Sequence, residues 1–448
     1  MAKVSKVRYV CSNCGAVAAT WEGRCRSCGE WNTLREELQI NKSAIGSDGS
    51  KLKTASVVDV SKNDSQRRLR VGLGDLDVIL GGGIVPGSIT LIAGEPGIGK
   101  STILLQISYT VAASQPVLYI SGEESAHQIG LRASRLGVNH KALQLATSTS
   151  AEDIASTIAS SDYKLVIVDS IQTVTCQDIS SSAGSVSQIT NSTQLITAAA
   201  KQTNTAVILV GHVTKEGSIA GPKVLEHVVD VVLQLEGERT GGFKLLRGLK
   251  NRYGSTNEVG IFEMSDKGLT PVTNPSAALL AERQITDGSV VLATMEGSRP
   301  LLVEVQALVN KTSYGYPKRT ASGIELNRLN LLVAMLERRT KLQLSDRDIY
   351  VNVVGGLKIN EPAADLAICM AIASAAKGLQ LSKQAVVFGE VGLSGEVRHV
   401  PFVEKRLIEA KKLGFTLAIG PMQRSGKKLT GLSGVLDIRS ALNTYLKD

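Results

Sequence analysis

A glycine-rich loop near residue 100 constrains the fold of this 448-residue chain more than any other feature. It fits the pattern GxxxxGK[ST] and consists of Gly94, Glu95, Pro96, Gly97, Ile98, Gly99, Lys100, Ser101 and Thr102. The apolar run 88–93 precedes the loop, and the apolar stretch 103–111 follows it. In a strand–loop–helix unit of this kind, backbone N–H groups and the positive end of a helix surround a phosphate. The loop therefore predicts a site for a nucleoside triphosphate at the mouth of a buried sheet.

Three side chains are expected to complete the triphosphate site. Lys100 can reach the β- and γ-phosphate oxygens, and the hydroxyl of Ser101 can ligate Mg²⁺. Asp169 ends the apolar run 164–169. We expect the strand that carries Asp169 to lie beside the loop strand, where its carboxylate would help to hold the Mg²⁺ ion.

A catalytic carboxylate is expected after the strand predicted at 116–121. Hydrolysis needs a base that orients the attacking water. Glu123 and Glu124 are the candidates, and Glu123 is preferred because it is the first acid beyond the strand. The alternative is an ordinary solvated acidic pair. His212, at the end of another apolar run, either senses the γ-phosphate or caps its strand.

The hydrophobic pattern of the chain predicts its domain organisation. Residues 37–65 are polar and predict a linker, whereas residues 66–275 alternate short Val/Ile/Leu runs with helical stretches. This alternation predicts an α/β fold whose parallel sheet is covered on both faces. A third block covers residues 281–448. Its predicted elements are a β-hairpin at 288–295 and 301–308 and helices at 327–339 and 363–377.

Four cysteines near the amino terminus form a metal-binding pattern. Cys11 and Cys14 make one CxxC pair, and Cys25 and Cys28 make a second. Four thiolates complete a tetrahedral Zn²⁺ shell with no open position, so the predicted site is structural. We expect metal binding to drive the folding of residues 1–36, because so short a segment has little core of its own. The alternative is four unrelated reduced thiols.

Charge and hydropathy narrow the expected surroundings of the protein. The 50 basic and 41 acidic residues give a net charge of +9, a weak indication of a polyanionic partner. The first residues contain no apolar signal region, and every apolar stretch is far shorter than the roughly 18 residues that span a bilayer. We therefore expect a cytoplasmic protein with no membrane partner.

The cysteine module, the phosphate loop and the pentapeptide KNRYG at 250–254 together resemble the bacterial RadA (Sms) family of DNA-repair ATPases, relatives of RecA. The pentapeptide is similar to that family's KNRFG-type motif, with Tyr253 in place of Phe. The resemblance covers essentially the whole chain and implies a RecA-like fold, ATP as the nucleotide and Glu123 as the catalytic glutamate. It also implies a homo-oligomer, a hexameric ring, that binds single-stranded and branched DNA and has RecA recombinase as a partner. The implied activity is a DNA-dependent ATPase that drives translocation and branch migration in homologous recombination and repair.

The same resemblance assigns a role to two residues of the pentapeptide. Lys250 and Arg252 alternate with Asn251, so they point to one side of an extended segment. In this family such residues are expected at the subunit boundary, where they couple nucleotide in one subunit to DNA work by the next. The alternative is a basic turn that ends at Gly254.

Several cations are candidates for contact with DNA phosphates. The segment 311–319 interleaves basic residues with two tyrosines, a composition that suits backbone contact and base stacking. A second group lies in and after the segment 211–217, which resembles a DNA loop of the recombinase relatives. The candidates are Lys215, Lys223, Lys311, Lys318 and Arg319. The alternative for each is a solvated surface residue.

Residues from about 285 to 448 resemble the proteolytic domain of Lon, which uses a Ser–Lys dyad. Ala363 stands where the nucleophilic serine is expected, and Glu404 stands at the matching lysine position. Because alanine offers no nucleophilic atom, we predict a catalytically inactive, Lon-protease-like α+β domain. Two alternatives to a motor stay open, a nucleotide-switched DNA-binding scaffold and, with Ala363 against it, an ATP-dependent protease.

Overall fold

The computed structural model describes residues 7–11, 13–14, 16–38, 56, 68–213, 219–220, 224–237, 243–313, 315–423 and 429–446. They belong to two compact units, one within residues 1–64 and the other within residues 65–448. Most of the predicted linker, residues 39–55 and 57–65, lies outside the described residues. No helix in the described ranges is both long and apolar enough to cross a membrane.

The smaller unit contains a three-stranded antiparallel sheet. Strand β1 (Val7–Cys11) lies in the centre, between β2 (Val17–Ala18) and β3 (Leu34–Leu38). Its buried cluster is formed by Cys11, Cys25 and Leu34. So small an apolar core gives little folding energy, and half of the predicted metal ligands lie inside it.

A ten-stranded sheet forms the first half of the larger unit. Its strands are β4 (Ile89–Gly94), β5 (Val117–Ser121), β6 (Leu143–Thr147), β7 (Leu165–Asp169), β8 (Ala206–Val213), β9 (Ile219–Ala220), β10 (Val231–Gly237), β11 (Phe243–Asn251), β12 (Val259–Ser265) and β13 (Gly268–Pro271). The order is β13-β12-β11-β10-β4-β8-β7-β5-β6, with β9 paired to β8. Neighbours from β10 to β6 are parallel, and neighbours from β10 to β13 are antiparallel. The predicted parallel sheet is confirmed, with an antiparallel extension on one side.

The position of the strand that carries Asp169 differs from the prediction. We expected β7 beside the loop strand β4, but β8 lies between them. The chain returns to the centre of the sheet after β7 and forms β8 there, which separates β7 from β4. Asp169 still comes close to the loop, because its carboxylate accepts a hydrogen bond of 2.9 Å from Ser101.

Helices cover both faces of the ten-stranded sheet. They are α1 (Gly74–Ile79), α2 (Lys100–Ala112), α3 (Ala126–Arg135), α4 (Ala151–Ser160), α5 (Val186–Thr203) and α6 (Val224–Val228). One buried cluster contains Leu104 of α2 and Ile129 of α3, and another contains Ile154 of α4 and Ile196 of α5. The sheet is therefore buried on both faces, as the continuous apolar runs predicted.

Polar side chains fix where several helices begin. A side-chain oxygen at the N-cap accepts a hydrogen bond from a backbone N–H of the first turn, which otherwise has no partner within the helix. The capping residues of this kind are Ser125, Ser150, Ser185, Asn274 and Asp437.

A second sheet forms the rest of the larger unit. The strands that follow along the chain are β14 (Ser289–Glu296), β15 (Arg299–Lys311), β16 (Arg319–Ser322), β17 (Arg347–Val353), β18 (Ala385–Val387), β19 (Glu390–Val391), β20 (Val397–Arg398), β21 (Leu417–Pro421) and β22 (Leu432–Val435). Seven of them form a sheet in the order β16-β17-β15-β14-β18-β21-β22, and β19 pairs with β20. The antiparallel pair β14–β15 confirms the predicted hairpin.

The helices of this second half pack against the seven-stranded sheet. They are α7 (Pro275–Leu280), α8 (Leu326–Thr340), α9 (Asp365–Lys377), α10 (Val403–Lys412) and α11 (Ile438–Tyr445). A short 3₁₀ turn, Pro362–Ala364, leads into α9. Every residue from Asp365 to Ser374 is buried, so α9 is the central helix of this core. The two predicted helices of this block are confirmed as α8 and α9.

The tip of the β14–β15 hairpin joins the two halves of the larger unit. The backbone N–H of Ser298 donates to the carbonyl of Asn257 at 2.6 Å. The guanidinium of Arg299 lies 2.8 Å from the carboxylate of Asp75 on α1. Leu279 of α7 belongs to the buried cluster of the second half. These contacts tie the seven-stranded sheet to the domain that carries the phosphate loop.

Candidate functional site

The phosphate loop lies between the end of β4 and the start of α2. Gly97 and Gly99 have φ angles of +80° and +117°, a region that side chains other than glycine rarely enter. Lys100 is only 5% exposed, and its ammonium donates to the carbonyls of Gly94 at 2.8 Å and Glu95 at 3.0 Å. Burial lowers the pKa of Lys100, and nearby carboxylates oppose that shift. The loop thus holds a cation against its own backbone.

Asp169 and Ser101 meet at the carboxyl end of the parallel strands. The hydroxyl of Ser101 donates to Oδ2 of Asp169 at 2.9 Å. The same oxygen accepts a hydrogen bond of 2.6 Å from the hydroxyl of Tyr119 on β5. The two residues that the sequence predicted for Mg²⁺ are therefore adjacent. Tyr119 is a contact that sequence reasoning missed.

Glu123 lies at the same edge of the sheet. The hydroxyl of Ser170 donates to Oε1 of Glu123, and Nε2 of His212 lies 3.4 Å from that oxygen. The side chain of Glu123 stays 41% exposed, so a water molecule can reach the carboxylate. Ser170, the residue that follows Asp169, was not predicted. Its hydroxyl fixes the carboxylate of Glu123.

The turn after β5 is locked to the end of β7. The N–H of Gly122 donates to the carbonyl of Asp169 at 2.9 Å. A Cβ atom at Gly122 would lie 2.1 Å from Oγ1 of Thr173, so a larger residue at this position would have to displace the side chain of Thr173. This lock keeps the turn that bears the candidate base close to the acid of β7.

The second candidate base points elsewhere. Oε1 of Glu124 lies 2.6 Å from the guanidinium of Arg132 on α3. This ion pair turns Glu124 toward the helix that follows it. Of the two acids, Glu123 is the one that lies beside Ser170 and His212.

Lys250 and Arg252 lie at the opposite edge of the ten-stranded sheet. Nζ of Lys250 donates to the carbonyl of Val229 at 2.8 Å, and burial lowers its pKa. Arg252 bonds the carboxylate of Asp230 at 2.9 Å and remains half exposed. Asp230 precedes β10, which starts level with the start of β4. Both cations lie near the start of β4, and the phosphate loop follows the end of this six-residue strand. The length of the strand thus separates the cations from the loop of the same chain by about 17 Å.

The structure brings together the predicted cations of the segment 311–319. Lys311 pairs in register with Arg347, and Arg319 pairs with Ile349 on the same strand, β17. The backbone N–H of Lys318 donates to Oδ1 of Asp348 at 2.7 Å. Arg347 is a fourth cation at this edge that sequence reasoning did not single out. The two other candidates, Lys215 and Lys223, lie outside the described residues.

The four cysteines of the smaller unit converge on one point. Their Sγ atoms all lie within 4.8 Å of one another, and the Cys11–Cys28 and Cys14–Cys25 pairs are both separated by 3.6 Å. Sulfurs bound to one tetrahedral zinc at about 2.3 Å would lie about 3.8 Å apart. The donor set and its spacing therefore fit Zn²⁺.

The turn that resembles the Lon active site differs from the prediction in one residue. Ala363 is buried in the 3₁₀ turn before α9, as expected for a position on the inner face. Glu404, which we matched to the lysine of the dyad, is exposed on α10. The residue of α10 that faces this turn is Arg406, which bonds Glu361 and is 0% exposed. Val403 and Arg406 of α10 are buried and Glu404 between them is exposed, so the inward face of the helix carries Arg406 and not the residue that the sequence match suggested.

Comparisons with known proteins agree with this architecture. Residues 62–218 match an AAA domain, residues 9–36 a rubredoxin metal-binding domain, and residues 330–424 the subunit ChlI of Mg-chelatase. The DNA repair protein RadA of Aquifex aeolicus is 48% identical over 93% of this chain and 94% of its own length. The protein of the same name in Bacillus subtilis is 46% identical over the full length of both chains. This chain belongs to the RadA family.

A further RadA protein, from Pseudomonas aeruginosa, is 47% identical over 96% of this chain and 95% of its own length. Among solved structures, the RadB recombinase aligns with 46% of this chain and 99% of its own, at 22% identity and a TM-score of 0.37. That likeness is too low to support an argument. The sequence relatives and the three family matches confirm the predicted fold class, in which a zinc module precedes a P-loop ATPase domain and a Lon-like domain follows it.

Proposed function

We propose that this member of the RadA family is a DNA-dependent ATPase of homologous recombination and repair. It binds single-stranded and branched DNA and uses ATP hydrolysis to translocate and to extend recombination branches. The observation that carries this proposal is the convergence of Lys100, Ser101, Asp169 and Glu123 at one edge of a parallel sheet. The names of the RadA relatives, DNA repair proteins, support DNA as the object of the work.

The phosphate loop binds the triphosphate in this proposal. Backbone N–H groups of the loop face the phosphates, and Lys100 exchanges its carbonyl partners for phosphate oxygens. Ser101 and Asp169 hold the magnesium ion, which would neutralise charge on the phosphate oxygens when bound. The existing hydrogen bond between these two side chains keeps both ligands on the same side of the loop.

Glu123 acts as the base. Its carboxylate is exposed to solvent, so it can accept a hydrogen bond from the attacking water and take up the proton. The hydroxyl of Ser170 holds one oxygen of the carboxylate, which leaves the other to face the water. His212 lies within 3.4 Å of Glu123, and we propose that it reports the presence of the γ-phosphate to the segment that follows β8.

Lys250 and Arg252 work on the nucleotide of a neighbouring subunit. Within one chain they lie at the sheet edge opposite the phosphate loop, so they cannot reach that chain's own phosphates. A homo-oligomeric ring, which we propose to be a hexamer, would bring the half-exposed Arg252 to the next subunit. A guanidinium supplied in trans stabilises charge on the transferring phosphate.

DNA contacts the protein at the start of β17 and at the segment after β8. Lys311, Lys318, Arg319 and Arg347 form the first group, and the expected contacts Lys215 and Lys223 form the second. Cations at these places would bind the DNA backbone without reading its sequence. RecA recombinase is the proposed protein partner, as the resemblance to the RadA family implies.

The decisive experiment uses forked and three-strand DNA with and without hydrolysable ATP. Lys250→Ala and Arg252→Ala should keep DNA affinity within about two-fold, since base-independent binding is spread over many cations, and should lose ATP-driven strand movement. Lys267→Ala, an exposed lysine at the β12–β13 turn, is the matched control. Wild-type strand movement in either variant would remove the coupling role. ATP turnover without strand movement in the wild-type protein would favour a nucleotide-switched scaffold.

A further inference from the structure

Tyr119 is a buried phenol beneath the acid that ends β7. The residue is 1% exposed, and a buried phenol hydroxyl generally needs a hydrogen-bond partner. It finds one in Oδ2 of Asp169 at 2.6 Å. Strands β5 and β7 are parallel with Ser121 opposite Asp169, so Tyr119 reaches across from two residues earlier on the neighbouring strand. Only a long, rigid side chain with a terminal donor spans that distance.

The contact fixes the rotation of the Asp169 carboxylate. The terminal torsion of an aspartate is broad, so an unrestrained carboxylate turns easily. Oδ2 of Asp169 accepts from Tyr119 and also from Ser101 at 2.9 Å. Two donors on Oδ2 restrict the rotation of the carboxylate, and neither of them bonds the second oxygen, Oδ1.

We propose that Tyr119 is a positioning residue for the divalent metal of the triphosphate site. Its hydroxyl holds Asp169 in the orientation in which the second carboxylate oxygen faces the ion. This inference rests on the proposed function, in which Ser101 and Asp169 hold Mg²⁺. It adds that affinity for the metal depends on a residue that touches neither metal nor nucleotide.

The test is Tyr119→Phe, which removes one oxygen and keeps the ring that fills the core. Mg²⁺ is titrated into the full chain with a fluorescent, non-hydrolysable ATP analogue, and the half-saturating Mg²⁺ concentration is measured. We expect it to rise about ten-fold, the lower end of the effect of losing a residue that orients a metal ligand. Affinity for the analogue without Mg²⁺ should be unchanged, which also shows that the variant is folded. Tyr109→Phe, the same change at an exposed tyrosine on α2, should leave both quantities unchanged.

A wild-type Mg²⁺ requirement in Tyr119→Phe would overturn the inference, even if the variant unfolds at a lower temperature. Asp169→Asn separates this failure from a failure of the proposed function. If Asp169→Asn raises the Mg²⁺ requirement and Tyr119→Phe does not, only the role of Tyr119 is wrong. If neither variant changes it, Asp169 does not hold the metal and both proposals fail.

Discussion

Two turns of the larger unit each lead into a helix, and they hold their charged side chains in opposite ways. In the phosphate loop before α2, Lys100 donates to backbone carbonyls, and Glu123 nearby remains 41% exposed. At the turn before α9, Glu361 is bonded to Arg406, a fully buried residue of α10. The first set can exchange its partners for a ligand, whereas the second is closed on itself.

The closed set is also fully satisfied. Oε2 of Glu361 accepts from the hydroxyl of Thr294 and from the N–H of Met295, both at 2.9 Å. Arg406 is 0% exposed and the side chain of Glu361 is 18% exposed, so the pair is largely buried. Burial of charges is costly unless they are paired and bonded, and here both conditions are met. The difference between the two turns lies in whether a charged group is left accessible to a ligand.

The largest expected effect is a loss of ATP turnover when the candidate base near the phosphate loop is changed. Glu123→Gln should lower ATP turnover about 1000-fold, because an amide cannot take the proton of the attacking water. ATP affinity should stay close to that of the wild type, since the phosphate loop is intact. Phosphate release and nucleotide binding measure the two quantities. Glu124→Gln, which breaks the ion pair with Arg132, is the control and should keep most of the turnover; equal losses in the two variants would remove the assignment.

The second expected effect is a loss of stability when the ion pair at the turn before α9 is broken. Arg406→Ala should lower the free energy of unfolding of residues 65–448 by about 3 kcal/mol, the lower end for breaking a buried pair, because the largely buried carboxylate of Glu361 would lose its cation. Denaturant unfolding followed by far-UV circular dichroism measures it. Arg439→Ala is the matched control, since this exposed arginine donates to a backbone carbonyl. A similar stability for the two variants would mean that the turn is not held by the ion pair.

Removal of zinc should affect the smaller unit and leave both turns of the larger unit intact. A chelator should unfold the segment 7–38, whose apolar core contains few residues, and should not change the unfolding of residues 65–448. Limited proteolysis followed by mass spectrometry locates the cleavage sites. Cuts spread through both units after chelation, or a purified protein without bound zinc, would argue against a structural zinc module.

The last substitution is expected to leave the protein without peptidase activity, as in the wild type. Ala363→Ser restores a hydroxyl in the turn before α9, but Arg406 is engaged with Glu361 and cannot serve as the base of a dyad. The variant and the wild-type protein should both leave casein intact in the presence of ATP. Degradation of casein by the variant alone would show that the turn is still competent and only lacks its nucleophile.

The sequence predicted the parts of the site that are local in the chain. The phosphate loop is one continuous pattern. The shared side of Lys250 and Arg252 was predicted from alternation along a strand, but β11 ends at Asn251 and Arg252 lies in the turn that follows it. The contacts across the sheet could not be read in this way. Tyr119 and Asp169 lie on different strands, 50 residues apart, and no periodicity links them.

Strand order and helix phase account for the two errors. The insertion of β8 between β4 and β7 depends on where the chain returns after α5, which the hydrophobic runs do not encode. Among the polar residues of α10, Arg406 faces the core and Glu404 faces solvent because of how the helix packs on β14 and β15. A shift of two residues on a helix moves a side chain to another face.

The most direct test of the account is the rate of ATP hydrolysis with and without single-stranded DNA, in the wild-type protein and in Lys100→Ala. Turnover in the wild type should depend on magnesium and should increase with DNA. Lys100→Ala should lose turnover by at least about 100-fold, with or without DNA, since the cation that faces the transferring phosphate is gone. Turnover of Lys100→Ala at the wild-type rate, or a wild-type protein that binds no adenine nucleotide with magnesium, would contradict it.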